Sequence, residues 1–231
     1  MNIAGFVDSS TLDWDGKISA VVFTPGCNFR CPFCHNRPLV LEADTQQLIP
    51  EEKILNFAGR QKKFLDAVCI TGGEPTLQPG LSDFCRKIRA MDLLVKVDTN
   101  GSNPEVIKQL IKAKAVDYFA MDINAQLEQA KYDRASGAKV DLEKIKESIQ
   151  ILKDSGIDYE LRTTVVPGLH TEKDIEAIAK GIKGVKKYVL QKFVPGRCLN
   201  SKYDALKSQS DEEMSKFVAA AKKHIDNVKH R

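Results

Sequence analysis

The chain has 231 residues, of which 42% are apolar, 29% charged and 7% aromatic, the composition of a folded domain with a substantial core. Thirty-five basic residues stand against 31 acidic ones, a net charge of +4, too small a surplus to imply nucleic acid or an anionic membrane as partner. No low-complexity tract and no apolar run of about 18 residues occurs, which argues against dominant disorder and a membrane span. Met1-Asn2-Ile3-Ala4-Gly5 lacks the basic-then-apolar pattern of a secretory signal, so the expected location is cytoplasmic.

In chain order, β-branched and aromatic runs bounded by turn residues predict strands at 18–23, 67–71, 93–99, 116–123, 159–166 and 186–194. Between them, apolar residues at helical spacing predict helices at about 50–65, 81–90, 104–113, 142–155, 171–180 and 211–228. Asn103 before Pro104 reads as a helix cap, and acids follow Thr171 and Ser210 in the first turn of their helices. Strictly alternating strands and helices imply a parallel sheet with right-handed crossovers. Only six such units are visible, fewer than a closed eight-unit barrel needs. The expected fold is therefore α/β, a partial (β/α)6 TIM-like barrel in a single domain over 1–231, with its core at about 16–195.

In such folds ligands gather on the loops after the carboxyl ends of the strands. Those loops are 24–36, 72–78, 98–101, 122–124, 166–170 and 191–197, and nearly every unusual polar or glycine-rich motif falls in them. The first carries Cys27, Cys31 and Cys34, half of the six cysteines. Clustered cysteines in a chain of this length read as metal ligands and not as a disulfide scaffold. A zinc site usually wants four closed ligands in two pairs; His35 directly follows Cys34, and no second pair exists. Three thiolates on a four-iron cluster would leave one iron open to a small molecule. Cys69, Cys85 and Cys198 stand alone and read as packing residues. His170, His224 and His230 show no partner pattern and read as surface residues.

The C-x3-C-x2-C loop, with Phe33 before its last cysteine, resembles the radical S-adenosylmethionine superfamily. Cys34-His35-Asn36 and the stretches 10–18 and 23–31 resemble its glycyl-radical-enzyme activating branch, in particular the anaerobic ribonucleoside-triphosphate reductase activating proteins. The resemblance covers about residues 3–195. It implies one [4Fe-4S] cluster per chain on Cys27, Cys31 and Cys34, and S-adenosylmethionine as cosubstrate. An external flavodoxin or ferredoxin would reduce the cluster, and the radical made on cosubstrate cleavage would take a hydrogen from a glycine of a partner enzyme.

Other loops match the same family. Thr71-Gly72-Gly73-Glu74-Pro75 resembles its GGEP motif, which receives the cosubstrate amino group, with Glu74 a ligand or a loop-positioning residue. Asp98-Thr99-Asn100-Gly101 and Asp122-Ile123-Asn124 resemble the D-T-N-G and D-x-K loops, Asn124 departing from lysine. Asp98, Thr99 and Asp122 are candidates to enclose a monovalent cation. Phe33, His35, Gly72, Gly73, Glu74, Asn100, Asp122, Asn124, Arg162, Val166 and Phe193 are the expected cosubstrate residues, with Phe193 or Gln191 in the place of a histidine that some relatives set against the adenine or ribose. The loop at 125–140, with Tyr132, Arg134 and Gly137, is expected to face the partner. Alternatives are a pyruvate formate-lyase-type activase, a related enzyme acting on a small molecule or peptide, or a non-enzymatic iron–sulfur module.

Overall fold

The computed structural model describes all 231 residues. Eight strands form one sheet in sequence order: β1 (Gly5–Ser10), β2 (Ser19–Thr24), β3 (Ala67–Gly72), β4 (Leu94–Thr99), β5 (Tyr118–Asp122), β6 (Asp158–Val165), β7 (Tyr188–Lys192) and β8 (Val228–His230). Only the β1–β2 pair is antiparallel. The two edge strands do not pair with each other, so the barrel stays open.

The helices are α1 (Arg37–Leu41), α2 (Glu51–Gln61), α3 (Leu81–Arg89), α4 (Pro104–Lys112), α5 (Gln129–Ser136), α6 (Leu142–Asp154), α7 (Glu172–Gly181) and α8 (Asp211–Lys222). The expected strands are β2–β7, and the expected helices α2–α4 and α6–α8. The outer strands β1 and β8 and the short helices α1 and α5 are additions. The last helix ends earlier than expected, because Val228 belongs to β8. Capping boxes fix the starts of α7 and α8, from Thr171 with Asp174 and from Ser210 with Glu213. Asn103 precedes α4 without capping it; its side-chain amide instead donates to Thr76 Oγ1 at 3.1 Å.

The two faces of the sheet differ sharply in chemistry, as the two-residue period of a strand allows. Val95 and Val97 of β4, Phe119 and Met121 of β5, and Tyr159 and Leu161 of β6 join the apolar core under the helices. Their neighbours on the inner face are Lys96, Asp98, Tyr118, Asp122, Glu160 and Arg162. The concave side of the sheet is therefore charged, and it leads to the carboxyl ends of the strands. No helix is long and apolar enough to cross a membrane.

Candidate active site

A cavity of about 500 Å³ opens at those carboxyl ends. It takes Cys27, Cys31, Phe33, Cys34, His35 and Asn36 from the loop after β2, Gly72, Gly73 and Glu74 from the end of β3 and just beyond it, and Asp98, Thr99 and Asn100 from the end of β4 and just beyond it. Asp122 and Asn124 come from β5 and the loop after it, Thr164 from β6 and Gln191 from β7. Segments from six consecutive strands thus meet at one place, as the parallel topology requires.

The cysteine loop is held from outside as well as by its own turn, in which Cys34 N–H donates to Cys31 O at 3.0 Å. Gly26 N–H donates to Leu39 O at 2.8 Å and Arg30 N–H to Ser136 O at 2.8 Å. From the far end of the chain, the N–H groups of Leu199 and Asn200 reach Cys34 O and Pro32 O at 2.8 and 2.9 Å. Gly137, just past α5, has φ +61°, and a Cβ there would lie 2.1 Å from Arg30 O. Only glycine lets the helix end sit against this loop.

The three thiols are unpaired with one another. Burial pushes Cys27 up to about 12, Cys31 well above its usual value, and Cys34 up as well, so each keeps its proton until a cation displaces it. Nowhere do three Cys, His, Asp or Glu side chains converge tightly enough to grip one metal ion. Three thiols lining one cavity supply fewer ligands than a closed structural zinc site wants and suit a cluster with one iron left open. The surrounding donors fit it too. Asn124 Nδ2 lies 3.3 Å from Cys31 Sγ, Asn100 Nδ2 lies 3.9 Å from Cys27 Sγ, and Phe29 N–H donates to Cys27 Sγ at 3.3 Å.

The Gly-Gly segment serves the cysteine loop. Gly73 N–H donates to Thr24 O at 2.8 Å and Glu74 N–H to Gly26 O at 2.7 Å. A Cβ on Gly73 would lie 2.0 Å from Gly26 O, so the glycine is required where two backbones touch. The Gly73 and Glu74 amides are thus spent on the neighbouring loop. Asn36, given no role from the sequence, completes this seam by donating from Nδ2 to Gly72 O at 2.6 Å.

Glu74 is almost fully buried, and both of its oxygens are engaged. Oε1 accepts from Thr76 N, Thr76 Oγ1 and Thr99 Oγ1 at 3.0, 2.6 and 2.7 Å, and Oε2 from Asn100 N at 2.7 Å. Burial raises its carboxyl, against the pull of these donors. Of its two expected roles, the geometry fits the positioning one.

The expected cation site is occupied by the chain's own cations. Arg162 Nε lies 2.8 Å from Asp122 Oδ1, Arg162 Nη1 lies 3.1 Å from Asp98 Oδ2, and Lys96 Nζ lies 3.0 Å from Asp98 Oδ1. Burial would raise the Asp98 carboxyl, but Arg162 and Lys96 hold it down at about 2; at Asp122 burial prevails and raises it. Thr99 Oγ1 donates to Glu74 and accepts from Gly101 N–H at 3.1 Å. Arg162 and Lys96 thus pair with both carboxylates of the expected cation site, while Asp122 keeps part of its side chain open to the cavity. Arg162, expected to face the cosubstrate, is a buried bridge behind these aspartates and is absent from the cavity wall.

His170 corrects a second reading. It is buried and not a surface residue, with Nδ1 accepting from Val166 N–H at 3.0 Å and Nε2 at 2.9 Å from Asn124 O. Those partners fix a neutral ring protonated on Nε2, and burial lowers its pKa. Tyr132, expected on a partner-facing loop, is also fully buried; Arg134 is exposed, reaching Gly168 O at 3.4 Å.

Val166 and Phe193 are buried with Phe33 and Cys198 in a small second apolar cluster beside the cavity and do not open onto it. His35 stacks on Phe193, with ring centroids 6.3 Å apart, and its Nε2 lies 2.7 Å from Val194 O. Cys69 and Cys85 are buried as expected, Cys85 within the main core. Thr164 was legible in principle, since it shares the inner face with Arg162. Asp13 was not, because it reaches the cavity from the β1–β2 connection at the opposite end of the barrel.

The Radical SAM superfamily matches residues 21–182 of this chain. A Methanocaldococcus jannaschii protein named as a glycyl-radical enzyme activating enzyme is 38% identical over 98% of this chain and 94% of its own. The pyruvate formate-lyase-activating enzyme of Clostridium pasteurianum is 27% identical over 82% of this chain and 80% of its own. Among solved structures, SuiB of Streptococcus suis, bound to S-adenosylmethionine, superposes with a TM-score of 0.69 at 13% identity; 91% of this chain covers 51% of that one, a likeness of fold alone. With its three-cysteine loop at the mouth of an open parallel barrel, the chain belongs to the radical S-adenosylmethionine superfamily, alongside the glycyl-radical-enzyme activating enzymes.

Proposed function

We propose that this chain is an activase that cleaves S-adenosylmethionine reductively at a [4Fe-4S] cluster and installs a glycyl radical on a partner enzyme. The observation that carries this reading is the convergence of Cys27, Cys31 and Cys34 with the Gly72-Gly73, Asp98–Asn100 and Asp122–Asn124 loops on one cavity. When bound, the cluster and S-adenosylmethionine supply one-electron cleavage of the sulfonium and abstraction of a hydrogen atom. The chain's own residues bind and orient. The three thiolates hold the cluster, Glu74 clamps the Thr99-Asn100 turn against the Gly-Gly segment, and His170 and Asn36 tie neighbouring loops to the same wall. Phe33 and His35 flank the apolar side of the cavity, where Phe193 and Val166 back them and keep water out.

Arg162 takes the place foreseen for a monovalent cation, holding Asp98 and Asp122 in position. The partner of choice is an anaerobic ribonucleoside-triphosphate reductase, on the strength of the resemblance at 23–31 and Cys34-His35-Asn36. Flavodoxin or ferredoxin is the proposed reductant and the cytoplasm the proposed location, where thiols stay reduced.

Anaerobic reconstitution with iron and sulfide, then dithionite and S-adenosylmethionine, should yield 5′-deoxyadenosine. No cleavage, or cleavage retained in Cys31→Ala, overturns the reading. Incubation with the reductase should give a glycyl doublet by electron paramagnetic resonance. Radical formation only on a different glycyl-radical enzyme would refute the partner and spare the activase.

A further inference from the structure

Asn124 stands where the family pattern carries lysine, and its side chain has a destination the sequence does not show. Nδ2 lies 3.3 Å from Cys31 Sγ and 3.3 Å from Ser136 Oγ. An amide nitrogen carries two hydrogens, so both are committed and neither is left for a ligand carboxylate. The residue is held at its backbone as well, since its carbonyl accepts from the neutral imidazole of His170 at 2.9 Å. Ser136 is fixed in turn, its carbonyl taking the Arg30 N–H of the cysteine loop at 2.8 Å. The amide is therefore pinned on three sides and aimed at one sulfur.

The surroundings make that bond count. Asn124 and Ser136 are buried. The Tyr132 hydroxyl is buried beside Cys31 and the Asn124 backbone. A hydrogen bond to a charged acceptor in such a dry setting is stronger than one between neutral groups. Reduction adds negative charge to a cluster and its thiolates, so a donor aimed at a ligand sulfur favours the reduced form and raises the potential. On the opposite side, Asn100 Nδ2 sits 3.9 Å from Cys27 Sγ and shares its hydrogens with Asn28 Oδ1 at 2.8 Å, a weaker counterpart.

We infer that the Asn124 amide, positioned by His170 and Ser136, donates to Cys31 to set the reduction potential of the cluster, and is not a contact to the cosubstrate. This rests on the cluster assignment proposed above. Asn124 is a positioning residue for the electron-accepting centre, in the place of a charged ligand-binding side chain.

The test is an equilibrium redox titration of the reconstituted protein, with dithionite supplying the single electron and the reduced cluster read by electron paramagnetic resonance. At the wild-type midpoint, Asn124→Leu should raise the oxidised-to-reduced ratio about tenfold, which is about 59 mV for a one-electron couple. Asn124→Asp keeps the shape and so the fold, replaces the donor by an anion, and should shift the ratio further the same way. If the leucine variant cannot hold the cluster, the aspartate variant decides alone. Variants that titrate with the wild type overturn the inference while leaving the activase reading intact. A wild-type chain that binds no four-iron cluster overturns the activase reading itself, and this inference falls with it.

Discussion

Arg162 Nη1 lies 3.1 Å from Asp98 Oδ2 on the inner face of the sheet, joining side chains 64 residues apart. With Asp122 on its other nitrogen, the guanidinium is the link between three neighbouring strands beneath the cavity. Removing one partner of such a buried set strands a charge, at a cost of about 3–5 kcal/mol. Arg162→Leu should therefore lower the denaturant midpoint strongly, and Arg162→Lys, which keeps the charge, should lower it less.

Arg162 and Lys96 already pair with Asp98 and Asp122, so cleavage is expected not to depend on an exogenous cation there. Cleavage of S-adenosylmethionine in potassium, sodium and tetramethylammonium chloride at matched ionic strength should agree within about twofold, screening being equal. Loss of activity in the bulky cation would restore a role for a small monovalent ion at Asp98, Thr99 and Asp122.

Glu74 gathers donors from two loops. Glu74→Leu leaves the Thr76 and Asn100 N–H groups and the Thr99 hydroxyl without their acceptor, at about 1–3 kcal/mol for each buried group. By the same principle, a destabilisation of about 3 kcal/mol or more is expected from urea unfolding. Glu74→Gln, which keeps one acceptor oxygen, should fall between. A leucine variant as stable as the wild type would contradict the hub geometry.

A methyl group on Gly73 would meet the Gly26 carbonyl oxygen at 2.0 Å, and neither backbone can yield without moving the cysteine loop. Gly73→Ala should load well under half of the wild-type iron. Gly59→Ala is the matched control: it lies in α2, where the nearest atom is Met91 Sδ at 3.7 Å, and alanine there should add about 0.5–1 kcal/mol through helix propensity.

His170 gives the apoprotein a pH dependence of known sign. Burial lowers its pKa from the usual 6.5, so below pH 6.5 the unfolded chain takes up the proton that the folded ring refuses. Stability present above pH 6.5 should be lost as pH falls toward the folded value, because an added proton on Nδ1 would face the Val166 N–H. His170→Gln should flatten the midpoint between about pH 7 and 5. A slope unchanged by the substitution would assign it to other groups.

The strands β2–β7 could be read from the sequence because each is a short run of β-branched, aromatic or other apolar residues whose outward side meets helices. β1 hid for the opposite reason: Phe6 is half-buried and Val7, Asp8 and Ser9 are all exposed, so no alternation marks them. The cysteine spacing spoke for itself because its ligands are close in sequence. The partners of Arg162 are 40 and 64 residues away, and nothing local distinguishes that arginine from a solvated one. His170 was illegible because it binds a backbone N–H and a backbone carbonyl, groups that nearly every residue type provides.

The ties on the cysteine loop also set its place in the order of folding. Its three cysteines lie together at 27, 31 and 34, yet the groups that shape the loop belong to Leu39, Gly73, Glu74, Ser136, Leu199 and Asn200. Such long sequence separations close slowly. A set of ligands that is local in sequence is thus organised by contacts that are not, and the loop takes its final shape only when those distant segments have docked.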